Sequence, residues 1–221
     1  MSGVIAMRNL YTAKRKGYFG YIRWGIIEPI KEGDNRILDI GCGDGSTGRV
    51  LKKERKAKEI IGIELNPVAV QKAKVELDKV ILGDIEILQL PFEEGYFDYI
   101  ILGDVLEHLY DPGNVLRKVR PYLKTKGFII ASIPNIRHWR IIRDLAIKGE
   151  WKYKNEGILD DTHLRFFTRK SILEMFNDNG FEVEQMVPRL FTRSRLINRL
   201  TLGFLEEFLA LQYIIKAGRK A

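Results

Sequence analysis

The feature that most constrains this chain is a cluster of glycines directly after an apolar run, in the stretch RILDIGCGDGSTGRV at residues 36–50. Four of the eight residues from 41 to 48 are glycine: Gly41, Gly43, Gly45 and Gly48. Glycine adopts positive φ easily and leaves the backbone bare, so a ligand can lie directly against the peptide groups. A glycine-rich turn between a strand and a helix is therefore expected to hold a ligand at the start of the helix.

Apolar runs and helical patterns alternate along the chain around this turn. Strands are predicted at residues 36–41, 59–65, 79–83, 97–103 and 127–133, with helices over 46–56, 66–77, 111–120 and 169–180. Such alternation indicates parallel strands covered on both faces. The last two apolar runs, 181–187 and 211–217, are expected to pair as a hairpin at the sheet edge. The predicted fold is α/β: a Rossmann-like, doubly wound, mostly parallel sheet of seven strands with an antiparallel C-terminal edge strand.

A single domain is expected for residues 1–221, with three segments outside the alternating core. An N-terminal helical segment is expected over residues 1–34. Residues 134–168 are irregular and aromatic, and a stretch of this length without periodicity in a compact domain is usually functional, so we expect a lid beside the ligand site. Residues 190–210 are expected to form a helical insertion before the last strand.

The composition excludes several kinds of protein. The single cysteine, Cys42, excludes an internal disulfide and a multi-cysteine metal site. No uncharged run reaches the roughly 18 residues that a transmembrane helix needs. The N-terminus lacks the apolar core and cleavage site of a signal peptide, so we expect a cytoplasmic protein. The net charge of +8 is spread over Lys- and Glu-rich helices and selects no partner by itself.

Three kinds of ligand compete for the glycine turn. A nucleoside triphosphate is disfavoured, because a P-loop needs a Lys after its last glycine and Gly45 is followed by Ser46. The spacing from Gly43 to Gly48 fits a dinucleotide site, although that match alone is weak. The third candidate is a ligand that carries an ammonium and a sulfonium group. Asp39 favours this ligand over a dinucleotide, because a carboxylate beside the turn attracts positive charge and repels pyrophosphate.

With Asp39 in place, the stretch LDIGCGDGSTG resembles the first motif of the class I S-adenosylmethionine-dependent methyltransferases. The resemblance covers residues 35–186 and the last strand, and it implies S-adenosylmethionine as cofactor and S-adenosylhomocysteine as product. Glu64 ends the second predicted strand, where an acid can accept both ribose hydroxyls. Asp84 follows Gly83 at the end of the third, where the family uses an acid on the adenine amino group. The expected cofactor-binding residues are Asp39, Gly41, Gly43, Gly45, Glu64, Leu65, Asp84, Ile85, Gly103 and Asp104.

The stretch GDVLEHLYDP after the fourth strand resembles the corresponding motif of methyltransferases of the ubiquinone-biosynthesis type. In that family the loop lines the methionine end of the cofactor and the acceptor. Asp104, Glu107 and His108 are spaced to share one face of a helical turn. Some relatives hold a divalent metal on such a set, with Glu at the first position, where this chain has Asp104. Caps and pocket wall are the plainer interpretation, and no metal is expected.

The stretch GILDDTHLRFFT, with SIPNIRHWR and GEWKY, resembles a branch that methylates sugars, lipids or surface-polysaccharide precursors. His163 is the best candidate for a general base because the pKa of an unperturbed imidazole lies near neutrality. Asp161 is expected to orient it, His108 is the second catalytic candidate, and Arg165 is a candidate to bind an acidic acceptor. The alternative is that Asp161, His163 and Arg165 form a polar clasp that ties the lid to the sheet.

Two residues after the fifth strand, His138 and Trp139, are candidates for the acceptor-pocket wall. The basic amphipathic stretch RSRLINRLTLGFLEEFLAL has the composition of a segment that lies on an anionic membrane. Peripheral membrane contact is nevertheless not expected, because Glu206 and Glu207 interrupt the basic face. A helix that closes the cleft or pairs two subunits is the simpler interpretation, so a monomer or a homodimer is expected.

The expected function is methyl transfer from S-adenosylmethionine to a small-molecule acceptor, at a hydroxyl of a sugar, lipid or isoprenoid-type precursor. An RNA methyltransferase is the alternative within catalysis. No N-P-P-[YF] motif follows the fourth strand and no Pro-Cys pair is present, so nucleic acid is not the expected partner. A non-catalytic S-adenosylmethionine-binding protein is the alternative outside catalysis, and the intact acids argue against a decayed site.

Overall fold

A seven-stranded sheet forms the centre of the computed structural model, which describes residues 20–220. In chain order its strands are β1 (Arg36–Ile40), β2 (Glu59–Glu64), β3 (Lys79–Leu82), β4 (Phe97–Gly103), β5 (Leu123–Pro134), β6 (Phe181–Arg189) and β7 (Gln212–Arg219). Their order across the sheet is β3-β2-β1-β4-β5-β7-β6, and β3 to β5 are mutually parallel. The predicted Rossmann-like, mostly parallel architecture is confirmed.

Eight α-helices lie in the described part of the chain. They are α1 (Trp24–Ile27), α2 (Ser46–Lys53), α3 (Pro67–Glu76), α4 (Pro112–Val119), α5 (Trp139–Lys148), α6 (Arg169–Asp178), α7 (Thr192–Leu200) and α8 (Glu206–Leu209). Two short 3-10 helices, Leu106–His108 and Arg120–Tyr122, flank α4. Within residues 20–220, no helix is long and apolar enough to span a membrane.

Successive strand residues enter two separate cores, one on each face of the sheet. On one face, Ile37 and Ile60 pack with the helices α1, α2 and α3. On the other face, Leu38 and Ile61 pack with α4 and α6. This alternation follows from the two-residue period of a strand, and it explains why both faces of β1 and β2 are apolar.

The strand order reverses beside β1, because β2 lies on one side of β1 and β4 on the other. Helices that follow β1 and β4 depart to opposite faces, which opens a crevice at the carboxyl edge of these two strands. The glycine turn after β1 and the loop after β4 meet in this crevice. The fold therefore brings the predicted ligand-binding motifs to one edge of the sheet.

The C-terminal strand differs from its expected position at the sheet edge. β7 runs antiparallel between β5 and β6, so the edge strand is β6. The chain reaches β6 through a crossover that includes α6, and β7 then fills the gap that this crossover leaves. The residues fit the arrangement: Ile215 and Ala217 of β7 are fully buried, whereas the charged alternation FEVEQ at the start of β6 is typical of an edge strand.

The segment 134–168 was expected to be irregular, but it contains the helix α5. The His138 side chain accepts a hydrogen bond from Arg140 N at the start of this helix, and Gly149 ends it with a φ of 63°. None of the α5 residues is buried, although Trp139, Ile142 and Leu145 recur at the helical period, so the sequence holds a helical pattern here that was not recognised. Of the expected N-terminal helical segment, residues 20–34 contain α1, and residues 1–19 lie outside the described residues.

Candidate active site

The glycine turn follows β1 and leads into α2. Gly41 N donates to the Ile63 carbonyl at 2.8 Å, which joins the turn to β2. Gly41 has a φ of 70°, and a Cβ there would lie 2.6 Å from Val105 Cγ2 in the loop after β4. Gly45 has a φ of 84° and a Cβ there would lie 3.2 Å from Ala73 Cα. Side chains are excluded at both positions, so bare backbone lines the crevice.

Asp39 lies on β1 between Gly62 of β2 and Ile101 of β4, one residue before the strand ends. Its side chain is buried, and this burial raises the pKa of the Asp39 carboxyl to about 7, with Arg23 acting in the opposite direction and Glu64 adding to the rise. The positive charge of Arg23 is therefore too weak to keep the Asp39 carboxyl ionised against the effect of burial. The position therefore suits a ligand that brings positive charge.

Glu64 is the last residue of β2, and its carboxylate organises the turn. Oε2 accepts a hydrogen bond from Gly43 N at 2.9 Å, and Oε1 accepts one from Asn66 N at 2.7 Å. Burial raises the pKa of this carboxyl, while the hydrogen bonds from the backbone lower it. Each carboxylate oxygen has a second lone-pair site, so Glu64 retains acceptor capacity for a pair of hydroxyl groups.

The third acid follows β3. Asp84 comes after Gly83, and its Oδ1 accepts a hydrogen bond from Glu86 N at 2.8 Å. Ile85 is buried beside it and Leu65 is half-buried after β2. Asp39, Glu64 and Asp84 thus lie at the carboxyl ends of three adjacent strands.

Asp104 follows Gly103 at the end of β4 and adopts a left-handed conformation with a φ of 55°. Its carboxylate accepts hydrogen bonds from Arg23 Nε at 3.0 Å, Ser132 Oγ at 2.6 Å and Gln212 Nε2 at 3.2 Å. These contacts join α1's flanking segment, β5 and β7 at one point. Asp104 therefore acts as the junction between the sheet and the residues that precede α1.

Arg23 is a residue of the crevice that no sequence motif predicted. Its guanidinium forms an ion pair with Asp104 and lowers the pKa values of Asp39, Glu64 and Glu107, so it lies in the middle of the crevice. Gly103 provides the space, because a Cβ there would lie 2.7 Å from Arg23 Cδ. Arg23 stands 81 positions before Asp104, and no local motif marks one arginine among 37 basic residues.

A second group of side chains lies beyond Asp104. Glu107, His108 and His163 each offer one ligand atom, and these atoms lie within 4.8 Å of one another. The distance from His163 Nε2 to Glu107 Oε1 is 4.0 Å, and the two imidazole centroids are 4.7 Å apart. Of the three residues Asp104, Glu107 and His108 that were considered together, the structure thus groups Glu107 and His108 with His163 of the lid, because the 3-10 turn directs both toward that residue.

Both imidazoles are oriented by carbonyl oxygens. His163 Nδ1 lies 3.0 Å from the Ile158 oxygen, and His108 Nδ1 lies 3.1 Å from the Thr162 oxygen. A carbonyl only accepts, so each ring carries its hydrogen on Nδ1 and its lone pair on Nε2. Burial, together with the His163 ring, lowers the pKa of His108 to about 4, so His108 is neutral at physiological pH.

Glu107 is the most unusual group of this cluster. Its side chain is 1% exposed, and within the described residues neither carboxyl oxygen has a hydrogen-bond partner. Burial, and then the charge of Asp104, raise the pKa of Glu107 well above its ordinary value. A buried carboxyl without a hydrogen bond lowers the stability of the folded protein. Such a group is typical of a functional site.

The other predicted lid residues hold the lid in place. Arg165 donates from Nε and Nη2 to the Tyr110 carbonyl at 3.1 and 2.5 Å. Leu164 N and Arg165 N both donate to the Glu107 carbonyl. Asp161 N donates to the Lys154 carbonyl at 2.8 Å, and the expected role of the Asp161 carboxylate stays a prediction. The lid is therefore fixed to the loop after β4 at the cluster itself.

A large apolar cavity of about 970 Å³ lies between α5, α7 and α8. Trp139, which was expected to wall an acceptor pocket, lines it together with Arg140, Phe191, Ile197 and Phe208. His138 is buried, and its Nε2 has no hydrogen-bond partner among the described residues. Trp151 packs on Phe166 within the lid, with ring centroids 5.3 Å apart.

The family described as "Methyltransferase domain" matches residues 20–186 of this chain. The ubiquinone biosynthesis O-methyltransferase of Bradyrhizobium diazoefficiens is 33% identical over 72% of this chain and 63% of its own length. The demethylmenaquinone methyltransferase of Thermotoga maritima is 29% identical over 72% of this chain and 75% of its own. The ubiquinone biosynthesis O-methyltransferase of Acinetobacter baylyi is 24% identical, and the chain spans only 44% of that relative's length.

Solved structures share the fold at low sequence identity. The SAM-dependent methyltransferase of Archaeoglobus fulgidus has a TM-score of 0.67 and 20% identity, with 96% of this chain and 94% of that chain covered. A possible histamine N-methyltransferase of Thermotoga maritima has a TM-score of 0.64 and 19% identity, with 91% of each chain covered. At these identities the likeness concerns the arrangement of strands and helices.

Proposed function

The chain belongs to the methyltransferase domain family and is an S-adenosylmethionine-dependent methyltransferase, and from this premise we propose that it methylates a hydroxyl group of a sugar, lipid or isoprenoid-type precursor. The observation that carries the proposal is a buried pair of side chains. One is Glu107, three residues after Asp104, and the other is His163 of the lid. A hydroxyl acceptor has to lose a proton during methylation, and this pair offers a base for it.

In this proposal the crevice residues hold the donor. Asp39 and Asp104 meet its positive charge, the two carboxyl oxygens of Glu64 accept the ribose hydroxyls, and Asp84 meets the adenine amino group. Arg23, already in the crevice, is the counter-ion for the donor's carboxylate. The residues fit this cofactor because acids end three adjacent strands around bare backbone. S-adenosylmethionine, when bound, supplies an electrophilic methyl group.

His163 takes up the proton of the acceptor hydroxyl at Nε2. The Ile158 carbonyl holds the ring in the tautomer that has its lone pair there. Glu107 Oε1, 4.0 Å from that nitrogen, is placed to stabilise the resulting imidazolium by accepting a hydrogen bond from Nε2. His108, neutral and packed edge-on against His163, limits the positions of that ring.

A divalent cation on Glu107, His108 and His163 is the competing arrangement. It is favoured by one specific observation, namely that three ligand atoms of the right kind lie within 4.8 Å of one another. Both imidazoles present a lone pair on Nε2 while Nδ1 donates to a carbonyl, as metal-ligating histidines commonly do. In that case the acceptor oxygens would be bound by the cation, and His163 would not be the base.

The test is a turnover assay with S-adenosylmethionine and separate acceptor panels of hydroxylated isoprenoids, lipid phenols, nucleotide-linked sugars and tRNA. Formation of S-adenosylhomocysteine with a hydroxylated lipid or sugar, abolished in His163→Ala, is the expected result. Methylation of tRNA alone would contradict the proposal in favour of an RNA methyltransferase. Binding of S-adenosylhomocysteine without turnover on any panel would favour a non-catalytic binding protein.

A further inference from the structure

Helix α7 lies on the surface with almost none of its side chains packed. Of its nine residues only Ser194 is buried. Leu196 and Leu200 are 62% and 75% exposed, although they follow one another by one helical turn and form a continuous apolar stripe. A helix in a globular domain normally turns such a stripe toward the core. In α7 the stripe faces away from it.

The loop after α7 extends this apolar surface. Leu202 is 96% exposed and Phe204 is 86% exposed. Leu202 also adopts a left-handed conformation with a φ of 50°, followed by Gly203 with a φ of 83°. A leucine in this conformation is strained by about 1–2 kcal/mol, and its exposed side chain gains no packing in return. The fold itself gives no reason for leucine at this position.

Arginines flank the apolar stripe on both sides. At the helical period, Arg195 and Arg199 lie along one side of Leu196 and Leu200, and Arg193 lies along the other. No acidic residue occurs in α7. The surface formed by α7 and the loop 201–205, which we term the α7 surface, is therefore apolar along its centre and cationic along its borders.

The two acids that interrupt the basic stretch in the sequence lie outside α7. Glu206 and Glu207 are in α8, which is separated from α7 by the loop 201–205. Glu207 forms an ion pair with Arg137, which neutralises it locally. The sequence stretch thus folds into two helices, and its basic and apolar residues are on the first. The charge interruption that is apparent in the sequence does not apply to the α7 surface.

We propose that the α7 surface docks on an anionic lipid bilayer. Leu196, Leu200, Leu202 and Phe204 enter the boundary between head groups and acyl chains, and Arg195 and Arg199 bind lipid phosphates while their aliphatic stems cover the apolar stripe. Charge complementarity selects this occupant, since apolar side chains between arginines match the two layers of an anionic membrane surface.

The apolar cavity adjoins the same surface. Ile197 and Arg193 of α7 line the cavity and are themselves exposed on the helix. Phe191, at the start of α7, also lines the cavity and is 49% exposed. A hydrocarbon chain could thus pass from the bilayer into the cavity along apolar side chains. This continuity favours a lipid surface over a protein partner at α7.

The test is co-sedimentation of the full chain with unilamellar vesicles of mixed phosphatidylcholine and phosphatidylglycerol, compared with vesicles of phosphatidylcholine alone. Binding is expected to the anionic vesicles and to weaken with salt. The double variant L202N/F204S should lose at least about tenfold in affinity. It should remain as stable as the wild type, because asparagine relieves the left-handed strain and neither side chain is packed. The double variant R195Q/R199Q should lose about fivefold per arginine.

A matched control replaces similarly exposed apolar residues near β3, at the edge of the sheet that is farthest from β6. Val75 and Ile87 are 84% and 71% exposed, and V75N/I87S should bind vesicles as the wild type does. Failure of the wild type to bind anionic vesicles would overturn the proposal, as would equal binding to neutral vesicles or by L202N/F204S. A dimer in sedimentation velocity that L202N/F204S dissociates, without vesicle binding, would assign the α7 surface to a second copy of the chain.

Discussion

Asp39 is a residue whose burial opposes folding and favours ligand binding. Burial raises its pKa from 3.8 to about 7, so the folded chain holds a proton that the unfolded chain has lost. When the folded state binds more protons, stability falls as pH rises, here across the interval between those two pKa values. A cationic ligand reverses the balance, because its charge favours the ionised carboxylate.

We expect Asp39→Asn to stabilise the ligand-free protein at neutral pH, by at least the roughly 1.4 kcal/mol that corresponds to one pKa unit. The gain should disappear in acid, where the wild-type carboxyl is protonated in both states. Affinity for S-adenosylmethionine should fall at least about tenfold. Urea unfolding across the pH range and titration calorimetry measure the two effects, and a variant that is less stable or binds normally would contradict this account.

Asp98→Asn is the matched control for this prediction. Asp98 is at the opposite end of β4, where its carboxylate accepts from Arg36 N at 2.9 Å and Lys124 Nζ at 2.7 Å. Its loss should lower stability by about 1 kcal/mol and leave cofactor affinity unchanged. The two variants should therefore change stability in opposite directions.

His163→Ala separates the base from the clasp. As a base, His163 contributes about a hundredfold or more to turnover, and its removal should leave S-adenosylmethionine affinity unchanged. Added imidazole should restore part of the lost rate, which a structural role would not allow. If the variant instead retains turnover but unfolds more easily, His163 is a clasp between the lid and the loop after β4.

Glu107→Gln tests the competing cation. A neutral amide resembles the protonated carboxyl in size and charge, so the variant should fold with wild-type stability or better. If the protein binds no cation at this cluster, EDTA should leave wild-type activity unchanged. Mn²⁺ should then also leave the melting temperatures of the wild type and of Glu107→Gln unchanged. A melting temperature that Mn²⁺ raises in the wild type but not in Glu107→Gln would assign the cluster to a metal ion.

At the scale of single residues, the sequence indicated which acids lie at the edge of the sheet better than it indicated which side chains meet beyond that edge. Asp39 and Glu64 are local to their strands, and a strand–turn–helix motif places them at the sheet edge. The contact between Glu107 and His163, and that between Arg23 and Asp104, join residues 56 and 81 positions apart. Such contacts depend on the packing of the lid and of α1, for which no local pattern exists.

Among the elements, the packing of α2 against the end of α3 limits what the glycine turn tolerates. A Cβ on Gly48 would overlap Leu77 Cδ2 and lie 3.3 Å from Ile60 Cδ1. Gly48→Ala should therefore destabilise the protein by about 1–3 kcal/mol, although alanine is the better helix former. Gly95→Ala is the control for space, since no atom lies within 4 Å of its Cβ and only its φ of 66° is unfavourable. Thermal unfolding that shows Gly48→Ala to be neutral would contradict the close packing.

The elements that carry their own signals were predicted, and those defined by tertiary context were not. Asn66 caps α3 through hydrogen bonds from Val68 N and Ala69 N, and Asp111 caps α4 through one from Asn114 N; in both helices a proline follows at the first position, a combination that favours a helix start at the predicted place. The place of β7 inside the sheet depends on which gap the crossover to β6 leaves, which periodicity does not encode. Helix α5 is an exception, because Trp139, Ile142 and Leu145 do recur at the helical period but the whole segment 134–168 was interpreted as irregular.

For the whole molecule, the crevice unites groups from β1 to β4 and the segment before α1, so a bound donor should stabilise the entire domain. At a concentration a hundredfold above its Kd, a ligand that binds only the folded state adds about 2.7 kcal/mol. For a domain of this size that corresponds to a rise of about 5–11 °C in melting temperature. S-adenosylhomocysteine should produce such a rise, and Asp39→Asn should reduce it.

NAD is the sharpest control for this experiment, because the spacing from Gly43 to Gly48 also fits a dinucleotide. Its pyrophosphate would meet the buried carboxyls of Asp39 and Glu64 at the turn. Within residues 20–220, Arg23 is the one cation that lowers the pKa of both, and a single guanidinium does not offset a doubly charged pyrophosphate between two carboxyls. NAD should therefore leave the melting temperature unchanged at concentrations where S-adenosylhomocysteine raises it. A shift with NAD and none with S-adenosylhomocysteine would mean that the acids at the strand ends do not select a cationic donor, and the proposed roles of Asp39, Glu64 and Asp84 would be wrong together.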